Sequence, residues 1–155
     1  MAIGPRAHWL TAFGMLYLAA ACRAPGPRPL AFGTAPCAHC HMTLIDRRFA
    51  GELVTVTGKA IPFDDVGCLA TYIATGAVRR ERISALWVDD FAQPDSALDV
   101  HHAVFLRSDS LHTPMDYHVV ALRPGPLADS MRAALGGELL SWDEVLRLAA
   151  KRPGP

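Results

Sequence analysis

Apolar and polar positions alternate along two short stretches of the chain, residues 50–56 and residues 118–122. Alternation with a period of two is typical of a strand that buries one face. Two further strands are predicted at residues 85–88 and 103–107, and residues 127–135 carry the pattern of a helix. Short strands and helices in one chain predict an α+β fold.

A segment of the first half of the chain recurs in the second half. Residues 58–70 align on residues 137–149 without a gap, and a glycine, an aliphatic residue, an aromatic residue, two acids, valine, leucine and alanine recur in that order. Each copy predicts a turn, a short strand and a helix whose free N–H groups are capped by the acids. With the strand upstream of each copy, the repeat predicts two duplicated ββα units, residues 37–80 and 81–152, packed into one compact domain. Positions at which the copies agree are predicted to be core: Phe63 and Trp142, Val66 and Val145, Leu69 and Leu148.

Residues 1–21 have the pattern of a secretory signal peptide, with a basic start and an apolar stretch too short to span a membrane. Three alanines lead to Cys22 in a sequence that resembles a bacterial lipobox, in which the cysteine becomes the lipidated N-terminus. The alternative is an ordinary secreted protein that is cut nearby and keeps Cys22 as a spare thiol. The proline- and glycine-rich residues 22–33 predict an extended tether with a reach of about 20 Å, and residues 34–152 form the compact domain.

Charge and the lack of known catalytic motifs exclude several classes of function. The chain has 15 basic and 15 acidic residues, so it has no net charge with which to attract nucleic acid. It has no Gly-x-Ser-x-Gly elbow, no phosphate-binding loop and no dinucleotide fingerprint. We therefore expect a protein that is not an enzyme.

The residues with the most distinctive chemistry are concentrated in one short run, residues 37–42, which reads Cys-Ala-His-Cys-His-Met. Thiolate and thioether sulfurs are soft ligands, and soft ligands select Cu(I) over hard cations. If Cys22 is lipidated, Cys37, Cys40 and Cys68 remain, and three thiols form at most one disulfide. The thiol left over is then reactive or metal-binding, so the run predicts a Cu(I) site.

Two methionines, Met42 and Met115, each precede a predicted strand, and they come together if the two halves of the domain face each other. Two or three soft ligands with an open side suit a metal carrier, because an incoming ligand can attack before the old ones leave. The ligands ranked first are Met42, Cys40, Met115 and His118, followed by Cys68, Cys37 and His41. Structural roles compete with ligation, namely a small buried residue at Cys68, a turn or core residue at Met115 and a hydrogen-bonded core histidine at His118.

Several blocks of the chain resemble the NosL family. They are the Cys-x-x-Cys-x-Met run at residues 37–42, the segments at residues 49–52 and 63–69, Trp-Val-Asp-Asp at residues 87–90, and Thr-Pro-Met at residues 113–115. The similarity spans residues 37–121, and the blocks follow one another in the order of that family.

The resemblance implies a bacterial lipoprotein on the periplasmic side of a membrane, built from two similar ββα halves. It implies that the protein binds Cu(I) and acts as an accessory copper chaperone for the catalytic copper–sulfide centre of nitrous oxide reductase. The implied partners are that client enzyme and a membrane ABC-type transporter complex, with the lipid on Cys22 as anchor. These expectations agree with the lipobox, the repeat and the run of soft ligands.

Three other functions are compatible with the same residues. A thiol–disulfide oxidoreductase would use Cys37 and Cys40, although such a motif usually starts a helix that follows a strand. A structural zinc site would use Cys37, Cys40, Cys68 and a histidine. A scaffold protein with incidental sulfurs would lose only stability when a methionine or cysteine is substituted.

Overall fold

The computed structural model describes residues 25–152, so the predicted signal peptide and Cys22 lie outside the described residues. The strands are β1 (Gly51–Thr55), β2 (Ala60–Phe63), β3 (Ile83–Asp90), β4 (Gln93–Asp99), β5 (Val104–Arg107), β6 (Val119–Leu122) and β7 (Glu138–Leu140). The helices are α1 (Val66–Ala74), α2 (Pro126–Leu135) and α3 (Trp142–Lys151), with short 3₁₀ turns at Arg47–Phe49 and Arg80–Arg82.

The strands form two antiparallel sheets. The first has the order β2-β1-β3-β4 and the second the order β6-β5-β7. Helices α1 and α3 pack against each other, and the main core joins their apolar faces to side chains of both sheets, among them Leu53, Phe63, Leu69, Phe105 and Trp142. A smaller core beside α2 includes Leu106, Val120 and Ala128. The predicted α+β fold is confirmed.

The four strands predicted at residues 50–56, 85–88, 103–107 and 118–122 correspond to β1, β3, β5 and β6, and the predicted helix is α2. Strand β4 was not predicted, because its sequence is mostly polar and contains Pro94. It lies at the edge of the first sheet, and among residues 25–152 its pairing partner is β3. A proline is tolerated at such an edge, so the sheet creates a strand that the local sequence does not indicate.

Both copies of the repeat form a turn, a strand and a helix, β2-α1 and β7-α3. The glycine that opens each copy has a positive φ, 81° at Gly58 and 95° at Gly137, which explains why this residue type recurs. Shared positions are core as predicted, with Leu69 fully buried and its counterpart Leu148 partly buried against the same cluster.

The acids of the repeat act at the helix N-termini in two different ways. Asp65 is the N-cap of α1, and its carboxylate accepts a hydrogen bond of 2.7 Å from the Gly67 amide. In the second copy the N-cap is Ser141, and the carboxylate of Glu144 accepts from the Ser141 amide at 2.7 Å, which completes a capping box. Helix α3 therefore begins earlier within its copy than α1 does.

The predicted pair of equivalent ββα units is not found in that form. Strand β1 pairs directly with β2, but β6, formed by the alternating residues upstream of the second copy, does not pair with β7. Helix α2 lies between β6 and β7 in the chain, and β5 occupies the central position of the second sheet. The partner of β7 is thus β5, which only the pairing in three dimensions reveals.

The described part of the predicted tether, residues 25–33, contacts the first sheet. The Trp87 indole N–H donates to the Pro25 carbonyl at 3.2 Å, and the Arg28 amide donates to the Glu52 carboxylate at 2.8 Å. Leu30 and Phe32 pack against the main core. Residues 25–33 are therefore packed against the domain, and the prediction of a free tether is wrong for this part of the segment. Within residues 25–152, no helix is long and apolar enough to cross a membrane.

Asp89 lines a cleft of about 220 Å³ between this segment and the sheet. We expect its side chain to make the stability of the folded protein depend on pH. Burial raises the pKa of Asp89 to about 6, aided by the negative charges of Asp95 and Glu52 and opposed by Arg47. The folded protein therefore holds this proton more tightly than the unfolded chain. The protonated Asp89 side chain therefore contributes its full stabilisation below the pKa that aspartate has in the unfolded chain, about 3.9. This contribution is lost as the pH rises through about 6, the pKa of Asp89 in the folded protein.

We expect this loss to lower the free energy of unfolding by about 1 kcal/mol between pH 4 and pH 7, because partial exposure weakens the effect. Urea denaturation of the wild type and of Asp89→Asn over this range measures it. The variant should have a shallower pH dependence, and equal slopes for the two proteins would contradict the assignment.

Candidate metal centre

The run at residues 37–42 is a tight loop that folds back on itself. The Cys37 amide donates to the Met42 carbonyl at 2.7 Å and the His41 amide donates to the Cys37 carbonyl at 3.1 Å. His41 has a φ of 64°, the left-handed conformation that the reversal requires. The Ala38 amide donates to the carbonyl of Pro62 in β2 at 3.0 Å, and this bond brings the loop to the start of α1.

Three of the predicted ligands meet a carboxylate at this point. The sulfurs of Cys37, Cys40 and Cys68 and one oxygen of Asp64 all lie within 4.8 Å of one another. Cys37 and Cys68 are fully buried, whereas Cys40 is partly exposed. All three cysteines are free thiols, and the Cys40 thiol donates to Asp64 Oδ1 at 3.3 Å. We call these four side chains the thiol cluster.

The thiols of the cluster differ in acidity. A hydrogen bond from the Cys68 thiol lowers the pKa of Cys37 to about 7 despite burial. The same hydrogen bond, together with burial, raises the pKa of Cys68. Burial raises the pKa of Cys40 to about 12, although the Met42 amide opposes that shift. Cys37 is thus the thiol that ionises near neutral pH, and a bound soft metal ion would displace the protons of the other two.

The second predicted pair of ligands lies on a loop, residues 113–118, that is fastened to the start of α1. The Met115 amide donates to Asp65 Oδ2 at 3.1 Å, and the Thr113 hydroxyl also donates to this carboxylate. Asp65 is fully buried and already caps α1, so one side chain connects the helix that carries Cys68 to the loop that carries Met115.

His118 is held with one ring nitrogen available for a metal. Its Nδ1 atom is hydrogen-bonded to the Leu111 carbonyl. Because a carbonyl oxygen only accepts, Nδ1 is the donor in this bond, and Nε2 is the ring nitrogen that could bind a metal. Metal-binding histidines are commonly oriented by a hydrogen bond of this kind.

The structure separates the predicted ligands into two groups. Cys37, Cys40 and Cys68 are brought together, whereas neither His41 nor His118 belongs to the group whose ligand atoms lie within 4.8 Å. Met42 follows Cys40 at the protein surface with half of its side chain exposed, 50%. Met115 packs against the main core cluster, which also contains two of the cysteines.

Comparison with known proteins gives the family. The family model described as NosL matches residues 31–149. The chain belongs to the NosL family. Its structure is similar to the crystal structure of the copper chaperone NosL from Shewanella denitrificans, with a TM-score of 0.65 and 20% sequence identity over 77% of this chain and 96% of that chain. At this identity the likeness concerns the fold, and no curated protein matches the chain.

The sequence analysis of this NosL-family protein did not predict one residue of the thiol cluster, Asp64, or the buried histidine of its loop, His39. Asp64 was expected to cap a helix together with Asp65, but only Asp65 does so, and Asp64 turns to the thiols instead. His39 is not among the predicted ligands, yet its buried Nε2 atom has no hydrogen-bond partner within the described part of the chain. The pKa of His39 is lowered by burial, and the charge of Asp64 opposes that shift.

The donor set fits a thiophilic metal ion. Three sulfurs from two chain segments converge without a disulfide among them, and a buried imidazole nitrogen that lacks a partner among the described residues lies in the same loop. A buried polar atom without a partner is uncommon in a native protein and calls for a ligand or water. The signal in the sequence for His39 was its position between Cys37 and Cys40.

Proposed function

We propose that this NosL-family protein is a carrier of Cu(I) and not an enzyme. The observation that carries the proposal is the thiol cluster, in which three sulfurs lie within reach of one metal ion. Sulfur ligands favour Cu(I), and the similar crystal structure is that of a copper chaperone. Copper is the cargo here, and the protein supplies the soft ligands that hold it.

The Cys40 side of the cluster is the proposed route for entry and exit of the ion. Cys37 and Cys68 are fully buried, but Cys40 is partly exposed, and Met42, two residues further along the same loop, is half exposed. A protein that accepts the copper ion can therefore bind it from this side before the bonds to the buried sulfurs break. Met115 and His118, on the loop fastened to Asp65, are the proposed additional ligands from the other half of the domain.

The proposed setting is the periplasmic side of a bacterial membrane, with the protein anchored by a lipid on Cys22 after removal of residues 1–21. The signal-like N-terminus and the lipobox-like sequence support this location. Membership of the NosL family supports delivery to a cuproenzyme. The client that we propose is nitrous oxide reductase, at its catalytic copper–sulfide centre, and the proposed partner in the membrane is an ABC-type maturation complex.

A zinc site is the second candidate, and one observation favours it. The thiol cluster contains a carboxylate, and three sulfurs with one oxygen fill the four positions that Zn(II) prefers. A closed set of this kind would hold zinc permanently for stability. A thiol–disulfide function has less support, since the Cys37–Cys40 loop does not begin a helix in this structure.

An anaerobic titration of the reduced protein against a coloured Cu(I) chelator, with Zn(II) in parallel, distinguishes these functions. A copper carrier should capture one Cu(I) per chain, prefer it to zinc, and bind it more weakly after Met42→Ala or Met115→Ala by at least about tenfold. Met131→Ala is the matched control, because Met131 packs against the smaller core beside α2. A preference for zinc, with both methionine variants unaffected, would contradict the copper carrier.

A further inference from the structure

The ring of Tyr117 lies flat on the first turn of α1. A Cβ atom at Gly67 would overlap the ring, so glycine is what allows this approach. The Tyr117 hydroxyl is hydrogen-bonded to the hydroxyl of Thr71, one turn further along the helix, at 2.7 Å. Tyr117 thus joins the loop at residues 113–118 to the helix that carries Cys68.

Arg152, which directly follows α3, also contacts the Tyr117 ring. The guanidinium carbon of Arg152 lies 4.3 Å from the ring centroid, a cation–π contact. The same side chain donates to the carbonyl of Asp116 at 2.8 Å. Thr71, Gly67 and Arg152 therefore hold Tyr117 from two helices, and we call this arrangement the Tyr117 clamp.

The clamp holds a loop whose backbone is strained. Asp116 and His118 have φ values of 53° and 58°, in the left-handed region that residues with a Cβ atom seldom occupy. Such a conformation persists only where surrounding contacts enforce it. Beside the Tyr117 ring lies a cavity of about 130 Å³, lined in part by Val119 and Val145, so the ring has room to move once its contacts are lost.

We propose that Tyr117 is a positioning residue of the metal centre, whose clamp holds the loop that carries Met115 and His118 closed against α1. This inference rests on the proposed function. In this role Tyr117, Thr71 and Arg152 are not ligands of the metal ion. It determines how often the loop opens, and thus how fast Cu(I) enters and leaves the site.

The test compares Tyr117→Phe and Arg152→Gln with the wild type. Tyr117→Phe removes the hydroxyl bond to Thr71 but keeps the ring, and Arg152→Gln removes the cation over the ring. Arg147→Gln is the matched control, because Arg147 lies on α3 with an exposed side chain and a distant 3.9 Å contact to Glu144. Two quantities are measured: amide exchange of residues 113–118 without metal, and the rates of Cu(I) capture and release with a coloured chelator.

We expect both clamp variants to exchange the loop amides about fivefold faster, the effect of losing one hydrogen bond of about 1 kcal/mol. Capture and release of Cu(I) should each accelerate by about the same factor, while the affinity changes by less than about twofold, because opening of the loop affects both rates equally. Loss of a ligand, as in Met115→Ala, would instead lower the affinity. Arg147→Gln should match the wild type in all measurements.

Two results would overturn the positioning role. Faster amide exchange with unchanged copper rates would mean that the clamp only stabilises the fold. Unchanged amide exchange would mean that Tyr117 does not hold the loop. If the wild type captures no Cu(I), the proposed function fails and the positioning role fails with it, and the titration above identifies that case separately.

Discussion

Cys37→Ser is expected to lower the affinity for Cu(I) by at least about a hundredfold, more than the loss of a residue that merely supports a ligand. Cys37 is fully buried, and the hydrogen bond from Cys68 lowers its pKa to about 7, so it is the thiol of the cluster best prepared to bind as thiolate. A serine hydroxyl has nearly the same size but is a hard ligand that stays protonated. Anaerobic competition with a Cu(I) chelator measures the change.

The competing explanation is that Cys37 serves only as a small core residue. In that case Cys37→Ala should fold normally and keep its copper, since alanine suits the fully buried site. The thermal midpoint of each variant separates lost stability from lost binding. Wild-type copper affinity in both variants would exclude Cys37 from the site and leave Met42, Met115 and His118 as the ligands to examine.

Asp65→Ala is expected to lower the free energy of unfolding by about 3 kcal/mol, because a buried carboxylate with three hydrogen bonds is removed. Asp65 accepts from the Gly67 amide, the Met115 amide and the Thr113 hydroxyl, and its loss leaves these donors without a partner. Asp65→Asn keeps an acceptor in place and should cost less. Burial raises the pKa of Asp65 to about 6, so the ionised side chain is itself held at some cost, which the amide avoids.

Asp64→Ala is the matched control for this prediction. Asp64 precedes Asp65 in the chain, but its side chain accepts from thiols, that of Cys40 at 3.3 Å and that of Cys37, and it does not cap α1. We expect a change in unfolding free energy within about 1 kcal/mol, as for loss of hydrogen bonds from thiols, which are weak donors, together with altered metal binding. Urea denaturation of both variants gives the comparison, and equal destabilisation by the two substitutions would contradict the separate roles of these neighbouring acids.

The agreement between sequence and structure is greatest where local chemistry dominates. Strand β1 was predicted from the alternation of residues 50–56, although the fold buries all five of its residues instead of one face only. The caps were recognisable because Asp65 and Glu144 stand at aligned positions of the repeat, although Ser141 proved to be the N-cap of α3. Strand β4 was missed, since its polar sequence becomes a strand only through pairing with β3.

The ranking of the predicted metal ligands shows the same difference between local features, which the sequence reveals, and contacts between distant segments, which it does not. Cys40 was ranked in the first group with Met42, Met115 and His118, and Cys37 and Cys68 in the second, whereas the structure places the three cysteines together with Asp64. Cys68 lies far from Cys37 in the chain, so their proximity in space could not be inferred from the sequence. The prediction that Met42 and Met115 bind the ion is untested by the geometry of the thiol cluster and remains part of the proposed function.

By itself, the sequence determined the family, the α+β class, the Asp65 cap of α1 and the soft chemistry of residues 37–42. These properties depend on residue types and on spacings of a few positions, which can be seen in the sequence without knowledge of the fold. Only the tertiary structure decided that Asp64 faces the thiols, that Asp65 joins α1 to the loop of Met115, and that Tyr117 is clamped over Gly67. Each of these contacts joins segments distant in sequence, and their meeting depends on sheet pairing and core packing rather than on local preference.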